Sequence, residues 1–527
     1  MRVLTGLVLA CLFAGSASAA TINVPADQGT IQAAIDAASD GDTVLVAPGT
    51  YYEKLNFNGK AITVASSGGA AVTILDGNNT GPIVTFENDE GNTSVLRGFT
   101  LTHGFVNDYG SAVHLSGGAP TIEDNRFVAN AGGTGYWGAA IGGDNSSPVI
   151  LRNYFSENTC GSQFLDSVVG FQGFAPVIAD NVFVNNPCPA LVLVESTKAA
   201  PEIYNNTFVG NRAGLLMNNW FKSTGTRFSN NLIAFNQYGL ESYAGLSDGP
   251  LPSWQANLVY GNTKADYHGF PNRTGSDGNI SSDPKLKDWA GSDVHLLYGS
   301  PAIDVGDSTV TQVSATDFYG NPRVGIGNPG DSAVVDIGAA EYEPPVVTAI
   351  DGSLVMVLSH QIVGVLHSAN ADPGEPLRFR VVTQPQHGKV TIHAPTGAFK
   401  YVSFDGYGID SFTFEIVDPY GTVSNTAIEQ LTLAEMAPTA VNSVVQISGF
   451  RPIHRPLQAT PAYEGQILHF QVVTPAVHGI VTVSDPSRPV YTYSPARGYR
   501  GSDSFTFRVV DQWGTASNIA TVSIVVH

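Results

Sequence analysis

Apolar residues in the N-terminal part of the chain recur in pairs inside a repeating polar frame. In PTIEDNRFVAN, PVILRNYFSEN, PVIADNVFVNN, PEIYNNTFVGN and TRFSNNLIAFN the two members of each pair are five residues apart: Ile122 with Phe127, Ile150 with Phe155, Ile178 with Phe183, Ile203 with Phe208, and Phe228 with Ile233. Each pair brackets a marker asparagine, at Asn125, Asn153, Asn181, Asn206 and Asn231, and a weaker copy, SWQANLVYGN, follows at Asn257. The markers are spaced 28, 28, 25, 25 and 26 residues apart. A period in that range means stacked copies of one supersecondary unit. The interval within a pair has no helical stripe and no leucine-rich signature, so helical arrays and leucine-rich repeats do not fit. It reads as a short strand, a bend at Asn, and a second short strand. Asn adopts the left-handed backbone more readily than other residues except Gly, and its amide bonds to nearby backbone. If every turn bends at the same place, the amides stack in a ladder and the Ile and Phe rows stack inside. The expected fold is all-β: a right-handed parallel β-helix.

The pattern changes twice more. Near the start, Ile31, Ala34, Ile35 and Ala38 recur at helical spacing after Thr30 as N-cap and before Gly41 as stop, a short helix suited to capping the first coil. After Pro344 and Pro345 the chain alternates β-branched and polar residues in two copies. LRFRVVTQPQHGKVTI answers LHFQVVTPAVHGIVTV, and DSFTFEIVDPYGTVSN answers DSFTFRVVDQWGTASN, so that Phe379 matches Phe470, Asp410 matches Asp503 and Asp418 matches Asp511. Short strands at regular spacing predict β-sandwiches. The expected organisation is a signal peptide over 1–20, the β-helix with its helical cap over 21–343, and two β-sandwich modules over 344–436 and 437–527.

The first twenty residues, MRVLTGLVLACLFAGSASAA, run from a basic start through an apolar stretch to a small-residue end, which predicts export. No later stretch has the roughly 18 apolar residues of a membrane span. With 25 Lys and Arg against 45 Asp and Glu, the formal net charge is −20. That field repels phosphate backbones and argues against a nucleic-acid partner. Beyond the leader only Cys160 and Cys188 remain, 28 residues apart and each seven residues past its marker asparagine. Equivalent positions on adjacent coils lie roughly 4.8 Å apart, within disulfide reach, so a bridge is expected in an exported chain; the alternative is a pair of buried thiols.

Residues 283–343 break the period with DPKL, GSPAIDVGDS, TDFYGNPR and DIGAAEYEP. This stretch resembles the closing signature of exported bacterial parallel β-helix proteins, whose broader relatives are the pectate-lyase-like β-helices. Those relatives include polysaccharide lyases, hydrolases and epimerases as well as non-catalytic surface proteins, so the resemblance implies an architecture more than an activity. The two C-terminal copies resemble the tandem cadherin-like or immunoglobulin-like modules of bacterial extracellular proteins, which act as spacers or adhesive units. Together these imply a monomeric protein, secreted or held at the cell surface, that contacts extracellular polysaccharide.

In related β-helix enzymes the working face is the strand that precedes the Pro-x-Ile strand. Val113, Ile141, Val169 and Val194 each fall twelve residues before a marker asparagine. If these point inward, the outward row is His114, Gly142, Gly170 and Glu195, and the next is Ser116, Asp144 and Gln172. Asp144 and Glu195 would then stand two coils apart, roughly 10 Å, near the upper range for an inverting glycosidase pair; the alternative is a solvated acidic face. These rows contain no Lys or Arg, which argues against a uronate lyase unless calcium supplies the missing positive charge. Asp304, Asp317 and Asp336, near glycine-rich turns, are the candidate Ca²⁺ ligands, with solvated carboxylates as the alternative. Tyr136, Trp137 and Trp220 offer flat apolar faces to sugar rings beside His114 and Gln172; the alternative is packing under loops. Three functions stay open at this point: glycan binding, glycoside hydrolysis or a calcium-assisted lyase reaction, and an adhesin or scaffold with no sugar site.

Overall fold

The computed structural model describes residues 19–107, 110–133, 138–161, 166–172, 175–194, 200–217, 225–242, 252–310, 314–330, 332–357, 361–404 and 408–527. Residues 1–18, most of the segment expected to be a signal peptide, lie outside them. The chain divides into two compact units, one ending at Pro344 and one spanning Pro345–His527.

The first unit is a parallel β-helix. After an opening strand in sheet 1 alone, each coil contributes one short strand to each of three parallel sheets. Sheet 1 has ten strands, from Thr21–Val24 to Ser253–Gln255; sheet 2 has nine, from Gly49–Tyr51 to Leu258–Tyr260; sheet 3 has nine, from Leu55–Asn56 to Ala265–His268. The expected pairs sit in register. Ile122, Ile150, Ile178, Ile203 and Phe228 align across sheet 1, and Phe127, Phe155, Phe183, Phe208 and Ile233 align across sheet 2. Rings 127, 155, 183 and 208 stack at centroid distances of 4.9, 4.4 and 4.9 Å. Each strand spans three to six residues across these coils, too short to hold itself, so the stacked rows stabilise what the single coil cannot.

The asparagine ladder forms, with two differences from expectation. The amide of each marker donates to the next marker's Oδ1, from Asn125 to Asn153 at 3.2 Å and on through Asn181, Asn206, Asn231 and Asn257 to Asn279. The left-handed residue, however, is the one before the marker: Asp124, Arg152, Asp180, Asn205, Asn230 and Ala256 all have φ between 50° and 57°. The marker is freed to point inward and satisfy buried backbone, as Asn153 does by donating to Ile122 and Leu151 carbonyls. A second ladder runs five residues later through Asn130, Asn158, Asn186, Asn211, Asn236 and Asn262. It was visible as the closing Asn of each repeat.

The cap helix spans Ile31–Ala37, with the Thr30 side chain accepting from Ala33 N–H at 3.2 Å. It ends at Ala38 in an extended conformation, before Gly41. Cys160 and Cys188 are disulfide-bonded with Cα atoms 5.7 Å apart.

Residues 283–343 do not add a coil. After a small antiparallel pair, Leu286–Asp288 with Asp293–Leu296, the segment runs back along the flank of the β-helix. Trp289 stacks on Phe235 at 5.0 Å, Asp307 exchanges hydrogen bonds with Asn230, Ser314 accepts from Arg152, and Phe318 meets Tyr154.

In the second unit each copy forms the same sandwich. A four-stranded sheet orders Gly352–Val357, Ala427–Ala434, Gly408–Val417 and Arg378–Thr383, and a three-stranded sheet orders Gln361–Val365, Ala398–Ser403 and Gly388–His393; the second copy repeats both. The matched aspartates are structural. Asp410 accepts from the Tyr401 hydroxyl and from the Gln386 and His387 N–H groups, and Asp503 does the same with Tyr493, Val477 and His478.

Candidate functional site

Strand alternation makes the outward face of sheet 3 directly readable from its register. One outward row runs Asn56, Thr85, His114, Gly142, Gly170, Val192, Leu216, Glu241 and His268. The next holds Ser116, Asp144, Gln172 and Val194. His114, Asp144 and Gln172 therefore stand where expected, each partly exposed. Asp144 Oδ2 accepts from the Asn145 amide at 3.2 Å. Tyr136, Trp137, Glu195 and Trp220 lie outside the described residues.

The fourth coil differs from expectation. Val194 aligns with Gln172, and the partner of Val169 is Leu191. Counting back twelve residues from Asn206 assumes a constant connection between sheets 3 and 1. In this coil that connection is three residues longer, while the one from sheet 2 to sheet 3 is shorter. Loop length is the least constrained part of a solenoid coil, so it absorbs the change. As a result the middle of the two outward rows is apolar: Val192, Val194 and Leu216 form a small buried cluster of their own.

Polar chemistry returns at the C-terminal end of sheet 3. Glu241 is almost fully buried, and its Oε2 accepts from Arg212 Nη1 and Nη2 at 2.8 and 2.9 Å. Its Oε1 faces His268 Nδ1 at 3.9 Å. The His268 ring stacks on Tyr238 with centroids 5.0 Å apart, and Lys264 Nζ sits 5.1 Å from the Tyr238 centroid. Neither Glu241 nor His268 stands in a motif or at a counted distance from a strong marker asparagine. The signal available was the continuation of the sheet 3 register into coils whose markers are weaker.

Glu241 and Asp144 are four strands apart, roughly 19 Å at the usual strand spacing. That is too far for a glycosidase pair. Among the described residues, the outward rows of sheet 3 thus offer hydrogen-bonding groups and a carboxylate–imidazole contact.

The candidate calcium ligands have other work. Asp304 accepts from Gly327 and Asn328 N–H, Asp317 from Tyr319, Asn321 and Glu341 N–H, and Asp336 from Asp304 and Tyr342 N–H. Those bonds tie the three carboxylates to backbone N–H groups of the closing segment. Among the described residues no three His, Cys, Asp or Glu side chains are grouped to hold a metal ion. The local positive charge is instead Arg323. It is 2 % exposed and reaches Asp180 Oδ1 at 3.2 Å and Glu341 Oε1 at 3.1 Å, and it donates to the Gly338 carbonyl.

One guanidinium cannot balance this many buried carboxylates. Burial pushes the Asp180 carboxyl up to about 6 against the opposing pull of Arg323. Burial likewise raises Asp336, to about 6, and Glu341, to about 9. A raised carboxyl binds its proton more tightly in the folded chain, so its contribution is full below the unfolded value near 4 and is lost as pH rises through the folded value. The β-helix unit is therefore expected to melt at a lower temperature at pH 7.5 than at pH 5. Asp180→Asn should shrink that difference, as calorimetry across the two pH values would show. A midpoint that rises with pH over this window would contradict the assignment.

Comparison with known proteins follows the same division. Residues 52–233 match the family described as right handed beta helix region, and residues 342–431 and 435–525 each match the bacterial Ig domain. No curated protein matches the chain. Among solved structures, an endo-fucoidan hydrolase of glycoside hydrolase family 107 is 17 % identical over 34 % of this chain and 28 % of its own, with a TM-score of 0.20. The human desmocollin-1 ectodomain is 12 % identical over 40 % and 46 %, with a TM-score of 0.19. The fibronectin(III)-like modules of Clostridium thermocellum CbhA are 17 % identical over 34 % and 93 %, with a TM-score of 0.15. The chain spans less than half the length of the first two, and at these scores the likenesses carry no argument about activity. The molecule joins a right-handed parallel β-helix, matched by the beta helix region family, to two β-sandwiches matched by the bacterial Ig domain family.

Proposed function

We propose that this is an exported protein whose β-helix contacts extracellular polysaccharide along the outward face of sheet 3, with the two Ig-like modules serving as spacers or adhesive units. The observation that carries this reading is the register-matched polar strip of Ser116, Asp144 and Gln172 on three successive coils, with His114 beside Ser116 on the first of them, all accessible to solvent. Partly exposed donors and acceptors repeated at one strand spacing suit a chain of hydroxyl-rich rings. The acidic surface favours uncharged glycans over polyuronates.

The repeated donors and acceptors of the strip suit binding, and cleavage is the competing reading. The test is affinity electrophoresis of the full chain in a panel of neutral and acidic polysaccharides. The double variant Asp144→Asn/Gln172→Ala should bind at least tenfold more weakly with an unchanged melting profile. Undiminished binding would place the contact elsewhere. Release of reducing ends or of unsaturated products by the wild-type chain would replace the binding reading with an enzymatic one.

A further inference from the structure

The return of residues 283–343 along the flank encloses a second polar recess, on the outward face of sheet 1. Its lining comes from three successive strands and from the closing segment: Glu202 and Tyr204, Arg227 and Ser229, Gln255, and then Asp307, Thr309 and Val310. The recess is a shallow groove open to solvent, with about 70 Å³ enclosed by its walls. Glu202 pairs across the sheet with Arg227, and Tyr204 with Ser229 and then Gln255, so alternation turns all five outward.

The wall opposite is fixed rather than loose. Asp307 N–H donates to Asn230 Oδ1 at 2.7 Å, and the Asn230 amide donates back to the Asp307 carbonyl at 3.1 Å. Asp307 Oδ1 accepts from both the backbone N–H and the hydroxyl of Thr309, at 2.9 and 2.6 Å. Tyr204 belongs to an outer apolar cluster with Leu151 and Ala179, against which Val310 packs, so the floor is apolar while the walls are polar. Glu202 and Arg227 approach only to 3.9 Å, leaving each able to bond a guest.

We infer that this recess is a second carbohydrate subsite, taking an uncharged sugar residue. Vicinal hydroxyls both donate and accept, and the walls offer both functions: carboxylates at Glu202 and Asp307, a guanidinium at Arg227, and neutral groups at Ser229, Gln255 and Thr309. Two carboxylates to one guanidinium leave the recess net negative, which disfavours a uronate. On the opposite wall the hydrogen-bonded Asp307 and Thr309 lower the ordering cost of binding. The inference rests on the glycan-contact reading, extending it to a face on the other side of the coil from the sheet 3 strip.

Calorimetric titration of the full chain with cellohexaose, mannohexaose, xylohexaose and a galacturonate hexamer tests it. A neutral oligosaccharide should bind at two sites per chain. Glu202→Gln/Asp307→Asn, which keeps both shapes, should reduce this to one site, and so should Thr309→Trp, placed at the exposed rim. The sheet 3 variant Asp144→Asn/Gln172→Ala should retain the recess and also bind at one site. If both recess variants bind like wild type while the sheet 3 variant loses all binding, this inference fails and the glycan reading stands. Preference for the galacturonate hexamer at the recess would overturn the inference. Absence of binding to all four probes would overturn both.

Discussion

Arg323→Ala is expected to destabilise the β-helix unit by about 3–5 kcal/mol, the usual cost of removing one partner from a buried ion pair. Asp180 and Glu341 would each lose the cation they face while remaining buried. The guanidinium also holds the Gly338 carbonyl, next to the Gly338 and Ala339 N–H groups that bond Asn230 and Thr207 on the coils beneath. Loss of Arg323 should therefore loosen the flank as well as strand the carboxylates. Calorimetry of the full chain would show the β-helix transition moving down while the transition of the second unit stays in place. Adding Asp180→Asn to Arg323→Met should recover part of the loss, because a neutral amide needs no counter-charge. Strictly additive effects of the two changes would mean that the contact contributes nothing of its own.

Phe155→Ala should be comparably costly, about 3–5 kcal/mol. Its ring lies between Phe127 and Phe183 at 4.9 and 4.4 Å, fully buried, and both neighbours would lose a stacking partner. The two flanking coils are held in place by strands on all three sheets, so the space is not expected to close. Two residues on, Glu157 is exposed and has φ 57°. Glu157→Ala changes no packed surface and faces the same backbone preference, so a change within about 0.5 kcal/mol is expected. Chemical denaturation of the two variants side by side would separate inside from outside, and equal small effects would refute the stacking row.

The two variants also mark how far sequence alone reached. Phe155 is placed by its own repeat. Its distance from Asn153 and Ile150 recurs in the neighbouring coils, and because coils stack in parallel, equal local spacing becomes lateral contact. The same logic placed the asparagine ladder and the Cys160–Cys188 bridge, and it put Asp144 beside Gln172. It failed by three residues at Val194, where a longer connection absorbed the shift, and it passed over Glu241 because the later coils carry weaker markers.

Arg323 belongs to the other kind of information. Its motif, GNPR, could be seen, but its partner Asp180 lies far away in sequence and looks there like one more acidic residue beside a marker asparagine. Asp304, Asp317 and Asp336 looked equally suited to bind a cation, yet the fold gives their oxygens to backbone N–H groups. The recess lined by Glu202 and Asp307 exists only because the closing segment turns back along the flank. The sequence by itself determined the coil, its inward rows and its stacking partners, since each is a short-range pattern that parallel repetition turns into structure. Tertiary structure alone decided which carboxylates are buried, which are capped and which face a common space, because those depend on where an irregular segment comes to rest against distant coils.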